Sequence, residues 1–205
     1  MEKTICIWGD SDTWGAFDYE GGGWVERLKK YFWGHKDFTT VYNLGVDGDT
    51  SRRVLKRFDA EAATREPDTI IFAIGVNDSA NREKRNNFWV PEKEFENNLH
   101  ELVKRARIYT DNIMFVGLYE GDESKTCPVP WSKDWFCYTN ENIEKYDEII
   151  RIVAKNERVQ YINVMSVITK DCLDEDGVHL NSRGHEKIFD LARETIENFT
   201  LALLK

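Results

Sequence analysis

The chain lacks any apolar run near the roughly 18 residues that a helix needs to cross a bilayer, so no helical membrane span is expected. It also lacks an excess of positive charge: acidic residues number 37 against 28 basic ones, for a net charge of −9 at pH 7. Charge of that sign repels nucleic acid and anionic lipid at long range, so neither a nucleic acid nor a membrane is expected as a partner. The segment Met1-Glu2-Lys3-Thr4 runs straight into Ile5-Cys6-Ile7-Trp8. It has none of the charged, long apolar and small-residue regions of an export signal, and a cytoplasmic location is the expectation. Cysteine is scarce. Cys6, Cys127, Cys137 and Cys172 form no CxxC pair, which excludes a zinc ribbon and a thioredoxin-like motif. Cys6 lies in an apolar run and reads as a small core residue. Cys127 and Cys137 flank an aromatic segment and would pair in an oxidising compartment, but the scarcity of cytosolic disulfides predicts free thiols. Neither a GxGxxG after a strand nor a GxxxxGK motif is present, so nucleotide binding has no support.

What the chain has in quantity is core-forming material. Hydrophobic residues make up 41% of the 205 residues and aromatics 13%, too many for a disordered chain. At roughly 150 residues per domain the expectation is one domain over residues 1–205. Short runs rich in Ile, Val, Phe and Tyr, apolar on both parities, read as strands covered on both faces. They are Thr4–Trp8, Thr40–Leu44, Thr69–Ile74, Ile113–Leu118 and Val159–Val164. Amphipathic segments follow them at Trp24–Phe32, Ser51–Ala63, Glu92–Tyr109, Asn140–Asn156 and Asn181–Leu204. Strand and helix alternating in this way predict an α/β fold, a parallel sheet with helices on both faces. Right-handed crossovers then gather every strand-to-helix loop at one end of the sheet, where ligands bind in such folds.

The loops at that end carry the reactive residue types. The first contains Gly9-Asp10-Ser11-Asp12. A serine just past a buried strand is held at the open end of the sheet, although Ser and Asp also serve there as plain helix caps. The last contains Asp176-Gly177-Val178-His179. A carboxylate three residues before an imidazole can orient it in a local turn, the base-plus-orienter half of a nucleophilic triad. The alternating oxygen ligands and distal glutamate of a calcium loop are missing here, and His185 makes no zinc spacing with His179. A serine nucleophile also needs donors for the charge that develops on the substrate oxygen. The Gly45 N–H of the second loop and the Asn77 side-chain amide of the third are the candidates. Each residue alone is weak, since Gly and Asn tolerate turns of any purpose. Together, four loops at one end supply a nucleophile, two donors, a carboxylate and a histidine. The third and fourth loops are long. Their aromatics, Phe88 and Trp89, then Trp131, Trp135, Phe136 and Tyr138, wall a pocket or cover the core edge.

These blocks resemble the SGNH hydrolases, also called the GDSL lipase/esterase family. The opening block stands as Gly9-Asp10-Ser11. The glycine block matches Gly45 within a Gly-x-x-Gly-x-Thr pattern ending at Thr50. The GxND block is Gly75-Val76-Asn77-Asp78, and the closing DxxH block is Asp176 to His179. All four occur in order across nearly the whole chain. The resemblance implies a flavodoxin-like three-layer α/β/α sandwich with a five-stranded parallel sheet in the order 2-1-3-4-5. It also implies ester hydrolysis through an acyl-serine, without a cofactor or metal. By that match Ser11 is the nucleophile, His179 the general base and Asp176 its orienter. The Ser11 N–H, the Gly45 N–H and the Asn77 amide form the oxyanion hole. One departure is visible: Asp12 stands where the family usually has an apolar residue. Its carboxylate can raise the pKa of the histidine by stabilising the cation. A helix cap pointing away is the commoner role and is the one expected.

The expected substrate is a small-molecule or carbohydrate-linked ester. Asp12, Trp14, Asp78, Trp89, Trp131 and Trp135, all on the same loops, are the residues expected to contact it. An acyltransferase would use the same residues with another acceptor, and a silent binding module would keep the fold without needing a serine and a base together.

Overall fold

The computed structural model describes residues 3–34, 39–83, 87–130, 132 and 136–202. Strand β1 (Lys3–Gly9) leads into a one-turn helix α1 (Ser11–Trp14), then α2 (Trp24–Gly34) and β2 (Thr39–Gly45). There follow α3 (Ser51–Arg65), β3 (Thr69–Ala73), a short α4 (Val76–Ser79), α5 (Glu92–Ala106) and β4 (Ile113–Val116). The chain continues through α6 (Glu123–Thr126), α7 (Asn140–Glu157), β5 (Gln160–Ile162), a 3-10 turn at Lys170–Cys172 and α8 (Ser182–Ala202). Every expected strand and long helix is present. The ends differ by up to three residues, the largest difference being at the end of α5, which stops at Ala106 and not at Tyr109. No helix among the described residues is long and apolar enough to cross a membrane.

All strand pairs are parallel, and the sheet order is β2-β1-β3-β4-β5. The double parity of the apolar runs divides between two layers. Cys6, Trp8, Ile70, Phe72, Ile113 and Phe115 face α3, α5 and α7. Ile5, Ile7, Ile71, Met114, Val116 and Ile162 face α2 and α8. Large side chains fill both layers: Trp8, Phe58, Phe72, Phe95 and Tyr146 in the first, Trp24 and Leu28 in the second. At roughly 1.5–3 kcal/mol for each fully buried large apolar side chain, these two layers hold the sheet in place, and the sheet in turn holds its loops.

The cysteines differ from expectation. Cys127 and Cys137 form a disulfide, with Cα atoms 4.2 Å apart. Disulfide scarcity reflects the compartment alone, whereas here the local fold sets the two sulfurs together. Backbone bonds from Val129 N–H to the Phe136 carbonyl (2.8 Å) and from Tyr138 N–H to the Thr126 carbonyl (2.9 Å) bring the two cysteines side by side. A disulfide persists in oxidising compartments and is rare in a reducing cytosol, which sets it against the cytoplasmic expectation. Cys6 and Cys172 are free and buried.

Candidate active site

Ser11 is the first residue of α1, directly beyond the C-terminal end of β1. The turn there is tight. A Cβ on Gly9 would collide with Thr13 Oγ1 and with the Ala73 carbonyl of the neighbouring strand, so only glycine permits this approach. Asp10 caps α1 by accepting from the Asp12 N–H at 3.2 Å. Glycine at position 15, with φ 102°, ends the turn. The Ser11 N–H has no hydrogen-bond partner among the described residues and stays open to a ligand.

His179 and Asp176 reach Ser11 from the loop between β5 and α8. Nε2 of His179 lies 3.0 Å from Ser11 Oγ, and its Nδ1 lies 2.5 Å from Asp176 Oδ2. Asp176 Oδ1 accepts from the Val178 and His179 N–H groups, both at 3.0 Å. One carboxylate thus orients the imidazole and also shapes the turn that carries it. Gly177 supplies the left-handed residue of that turn at φ 77°. The loop is closed by Asp174 N–H to the His179 carbonyl at 2.8 Å. The second histidine, His185, is buried; its Nε2 bonds the Ala16 carbonyl at 2.9 Å, which braces the first loop.

Burial works against charge on Asp176, but the bond to His179 and the two N–H donors outweigh it and hold the carboxyl down at about 2. Burial likewise disfavours the His179 cation. The bond to Asp176 and the nearby charges of Asp12 and Asp10 outweigh it and lift the imidazole to about 9. Asp12 is therefore not the expected cap. Asp10 fills that role, and the half-buried Asp12 turns across the site. Its carboxylate accepts from the Tyr119 hydroxyl and, at 3.4 Å, from the Leu180 N–H. The Val178 carbonyl oxygen lies 3.0 Å from the same hydroxyl. The pair fastens the histidine loop to the serine turn.

The donors need one correction. Gly45 sits at the end of β2 with its N–H donating to Asn43 Oδ1 at 3.0 Å. A Cβ there would strike the Trp14 backbone nitrogen, so this glycine serves close packing of β2 on α1. Three residues on, Gly48 occupies the left-handed region at φ 67°. Its Cα faces open space and its N–H has no partner among the described residues. Arg57 fastens this turn through the Asp49 carboxylate and the Leu44 carbonyl, 2.9 and 2.7 Å away. Asn77, in α4, points its Nδ2 at the Asp49 carbonyl (3.0 Å) and receives the Tyr138 hydroxyl on Oδ1 (3.1 Å). The asparagine amide and the Gly48 turn are thereby neighbours.

The residues expected to contact substrate divide. Trp14 is 60% exposed beside the serine turn. Trp89 is half-buried, with its ring centroid 5.0 Å from that of Phe136. It lies near Arg53, which bonds the Gly48 carbonyl. Asp78 is fully buried and accepts from Ser51 N–H and Oγ, which removes it from the surface. Burial pushes its carboxyl up to about 7 against those bonds. Trp131 and Trp135 lie outside the described residues. Phe88 packs on Tyr146 at 5.8 Å and covers the core edge. Phe17 was not among the expected residues. Its ring centroid lies 5.0 Å from that of His179, and it remains 39% exposed. Its position six residues after Ser11, in a loop with Trp14 and Tyr19, was the available signal. Among the described residues, no group of His, Cys, Asp and Glu is placed to hold a metal ion.

Residues 7–187 match the GDSL-like Lipase/Acylhydrolase family. The chain is 30% identical to a multidomain esterase of Ruminococcus flavefaciens, over 95% of its own length but only 28% of that protein's. It is 26% identical to the isoamyl acetate-hydrolyzing esterase 1 homolog of Bos taurus, with 90% of this chain and 78% of the relative covered. A lipase/acylhydrolase structure from Enterococcus faecalis superposes with a TM-score of 0.78 at 20% identity, covering 96% of both chains, a likeness of fold. By its family match across both ends of the site, the chain belongs to the GDSL-like lipases and acylhydrolases.

Proposed function

We propose that the protein is a serine esterase that cleaves a small or carbohydrate-linked carboxylic ester through an acyl-serine intermediate. The observation that carries this reading is the continuous bond series from Ser11 Oγ to His179 to Asp176, at 3.0 and 2.5 Å. Ser11 Oγ attacks the acyl carbon while its proton passes to His179 Nε2. The ester C–O bond breaks, and the leaving alcohol takes that proton. Water then attacks the acyl-serine with the same histidine as base, releasing the acid and restoring Ser11. The Ser11 and Gly48 N–H groups and the Asn77 amide are the donors to the transient oxyanion. The names of the relatives, one of them an isoamyl acetate-hydrolyzing esterase homolog, favour esters over other acyl compounds. The exposed rings of Trp14 and Phe17 offer an apolar flank for the alcohol or sugar.

A serine-reactive fluorophosphonate tests the reading. It is expected to add a single label, located by peptide mass spectrometry at Ser11, and an ester substrate present in excess should slow the labelling. No label, or a label elsewhere, would turn the reading toward a silent binding module. Alcohol acceptors added during turnover would reveal transfer if a new ester formed in place of the free acid.

The elevated imidazole sets the pH response. Only neutral His179 can accept the serine proton. Activity is therefore expected above the histidine pKa of about 9 and is lost as pH falls through it. Removing the Asp12 charge withdraws support from the cation, so the pKa falls. In Asp12→Asn the acid limb of the kcat/KM profile is expected to move toward neutral pH by on the order of one unit. An unchanged limb in a well-folded variant would free the histidine from this carboxylate.

A further inference from the structure

The two ends of the Asn77 side chain are nearly the same size and opposite in effect. Nδ2 stabilises an oxyanion; Oδ1 in its place would repel one. Shape alone selects poorly between them, so hydrogen bonds must choose. The Asp49 carbonyl can only accept, and it takes Nδ2 at 3.0 Å. That leaves the second N–H of Nδ2 for a ligand. The Tyr138 hydroxyl meets Oδ1 at 3.1 Å and must donate there. Burial, with the charges of Asp10 and Asp47 nearby, pushes the Tyr138 hydroxyl well above its usual range, so it stays protonated.

Tyr138 belongs to no helix or strand. Its N–H donates to the Thr126 carbonyl at 2.9 Å, and Thr126 Oγ1 donates back to its carbonyl at 2.8 Å. The residue before it, Cys137, exchanges backbone bonds with Asn81 at 2.9 and 3.1 Å. The residue after Thr126 is Cys127, the disulfide partner of Cys137. The cross-link therefore sits one residue from each member of the Thr126–Tyr138 pair. It closes the chain between them into a covalent loop whose end bears on Asn77.

We propose that Tyr138, held in place by the Cys127–Cys137 disulfide, is a positioning residue that fixes the amide of Asn77 with its N–H toward the substrate oxygen. The proposal rests on Asn77 being an oxyanion donor. It makes the disulfide part of the catalytic arrangement as well as of the fold: reduction by a dithiol, itself oxidised to its cyclic disulfide, yields two thiols and slackens the tyrosine.

Steady-state hydrolysis of p-nitrophenyl acetate by the full chain tests it, with wild type, Tyr138→Phe and Asn77→Ala each measured untreated and after reduction by dithiothreitol, capping of the freed thiols with iodoacetamide and removal of both reagents. The phenylalanine keeps the ring and loses only the donor. In Tyr138→Phe, kcat is expected to fall about tenfold, the effect of one buried hydrogen bond. KM should stay within about twofold, and the loss should persist in turnover per fluorophosphonate-titrated Ser11, a split that a loosened fold would not give; the Asn77 Oδ1 left unpaired should lower the thermal midpoint only slightly. Dithiothreitol is expected to lower wild-type kcat by several-fold and that of Tyr138→Phe by less than about twofold, because the contact it disturbs is already gone. A Cys127→Ser, Cys137→Ser double variant should match the reduced protein without the reagent. The inference is overturned if Asn77→Ala loses activity while Tyr138→Phe keeps it, or if opening the disulfide costs both backgrounds the same factor. Full activity in Asn77→Ala would instead remove the oxyanion role on which the inference stands, and the inference with it.

Discussion

Ser11→Ala is expected to lower kcat by on the order of 10⁴-fold. The size follows from what the hydroxyl does. In the proposed mechanism it forms the bond to the acyl carbon, and among the described residues no other hydroxyl bonds His179 Nε2. Without it, the remaining donors can only polarise a bound ester toward water. The substitution should not confound folding. Ser11 Oγ has His179 as its side-chain partner, and the α1 bonds from Gly15 and Ala16 go to the Ser11 backbone carbonyl, which alanine keeps. Chromogenic esters from acetyl to long acyl, assayed with wild type and variant, provide the measurement, and the wild-type chain-length profile sizes the acyl site. His179→Ala should cost a comparable factor, and the double variant little more than either single one, because nucleophile and base act as one unit. Losses that multiply would mean that the two residues serve separate steps, and the bond between them would need another explanation.

How far this site was legible depends on the range of the interaction behind each part. The strands were readable because each is apolar on both parities, and both faces of the sheet are covered: Ile5 and Ile7 enter one layer, Cys6 and Trp8 the other. Asp176 and His179 were readable because three residues of chain carry the whole contact. The sheet order followed from family resemblance, since no local pattern encodes which strands pair. Gly45 was misassigned for a physical reason. Glycine marks a place where backbones approach or φ turns positive, and the type alone does not separate the two cases. At Gly45 the requirement is contact with Trp14, with the N–H taken by Asn43; at Gly48 it is a positive φ and a free N–H. Asp12 was harder still. Its partner Tyr119 is 107 residues away, and nothing near Asp12 distinguishes a carboxylate that caps its own helix from one that crosses the site. Asp78 shows the reverse limit. Beside Asn77 in the same block it looks functional, yet its carboxylate is spent on Ser51 and serves to anchor the start of α3 to α4.

Asn77→Ala is expected to lower kcat by on the order of 10²–10³ while KM changes little. An oxyanion donor gains most of its bond strength only as charge moves from carbonyl carbon to oxygen, so its loss raises the transition state and leaves the ground state nearly untouched. Asn77 is suited to this because its side chain is almost wholly buried, where water competes poorly and the field of an N–H dipole is weakly screened. It is also fixed before substrate arrives, by Asp49 on the nitrogen and Tyr138 on the oxygen, so no reorganisation is needed during reaction. The alanine variant leaves the Tyr138 hydroxyl and the Asp49 carbonyl without that partner, and some loss of thermal stability should accompany the kinetic one. The two effects separate by position. A fold defect would lower the fraction of enzyme that a fluorophosphonate can titrate, whereas a missing donor lowers turnover per titrated site. If turnover per titrated Ser11 stays near the wild-type value, the charge on the substrate oxygen is held by the Ser11 and Gly48 N–H groups alone, and Asn77 serves to tie the 45–50 loop to α4.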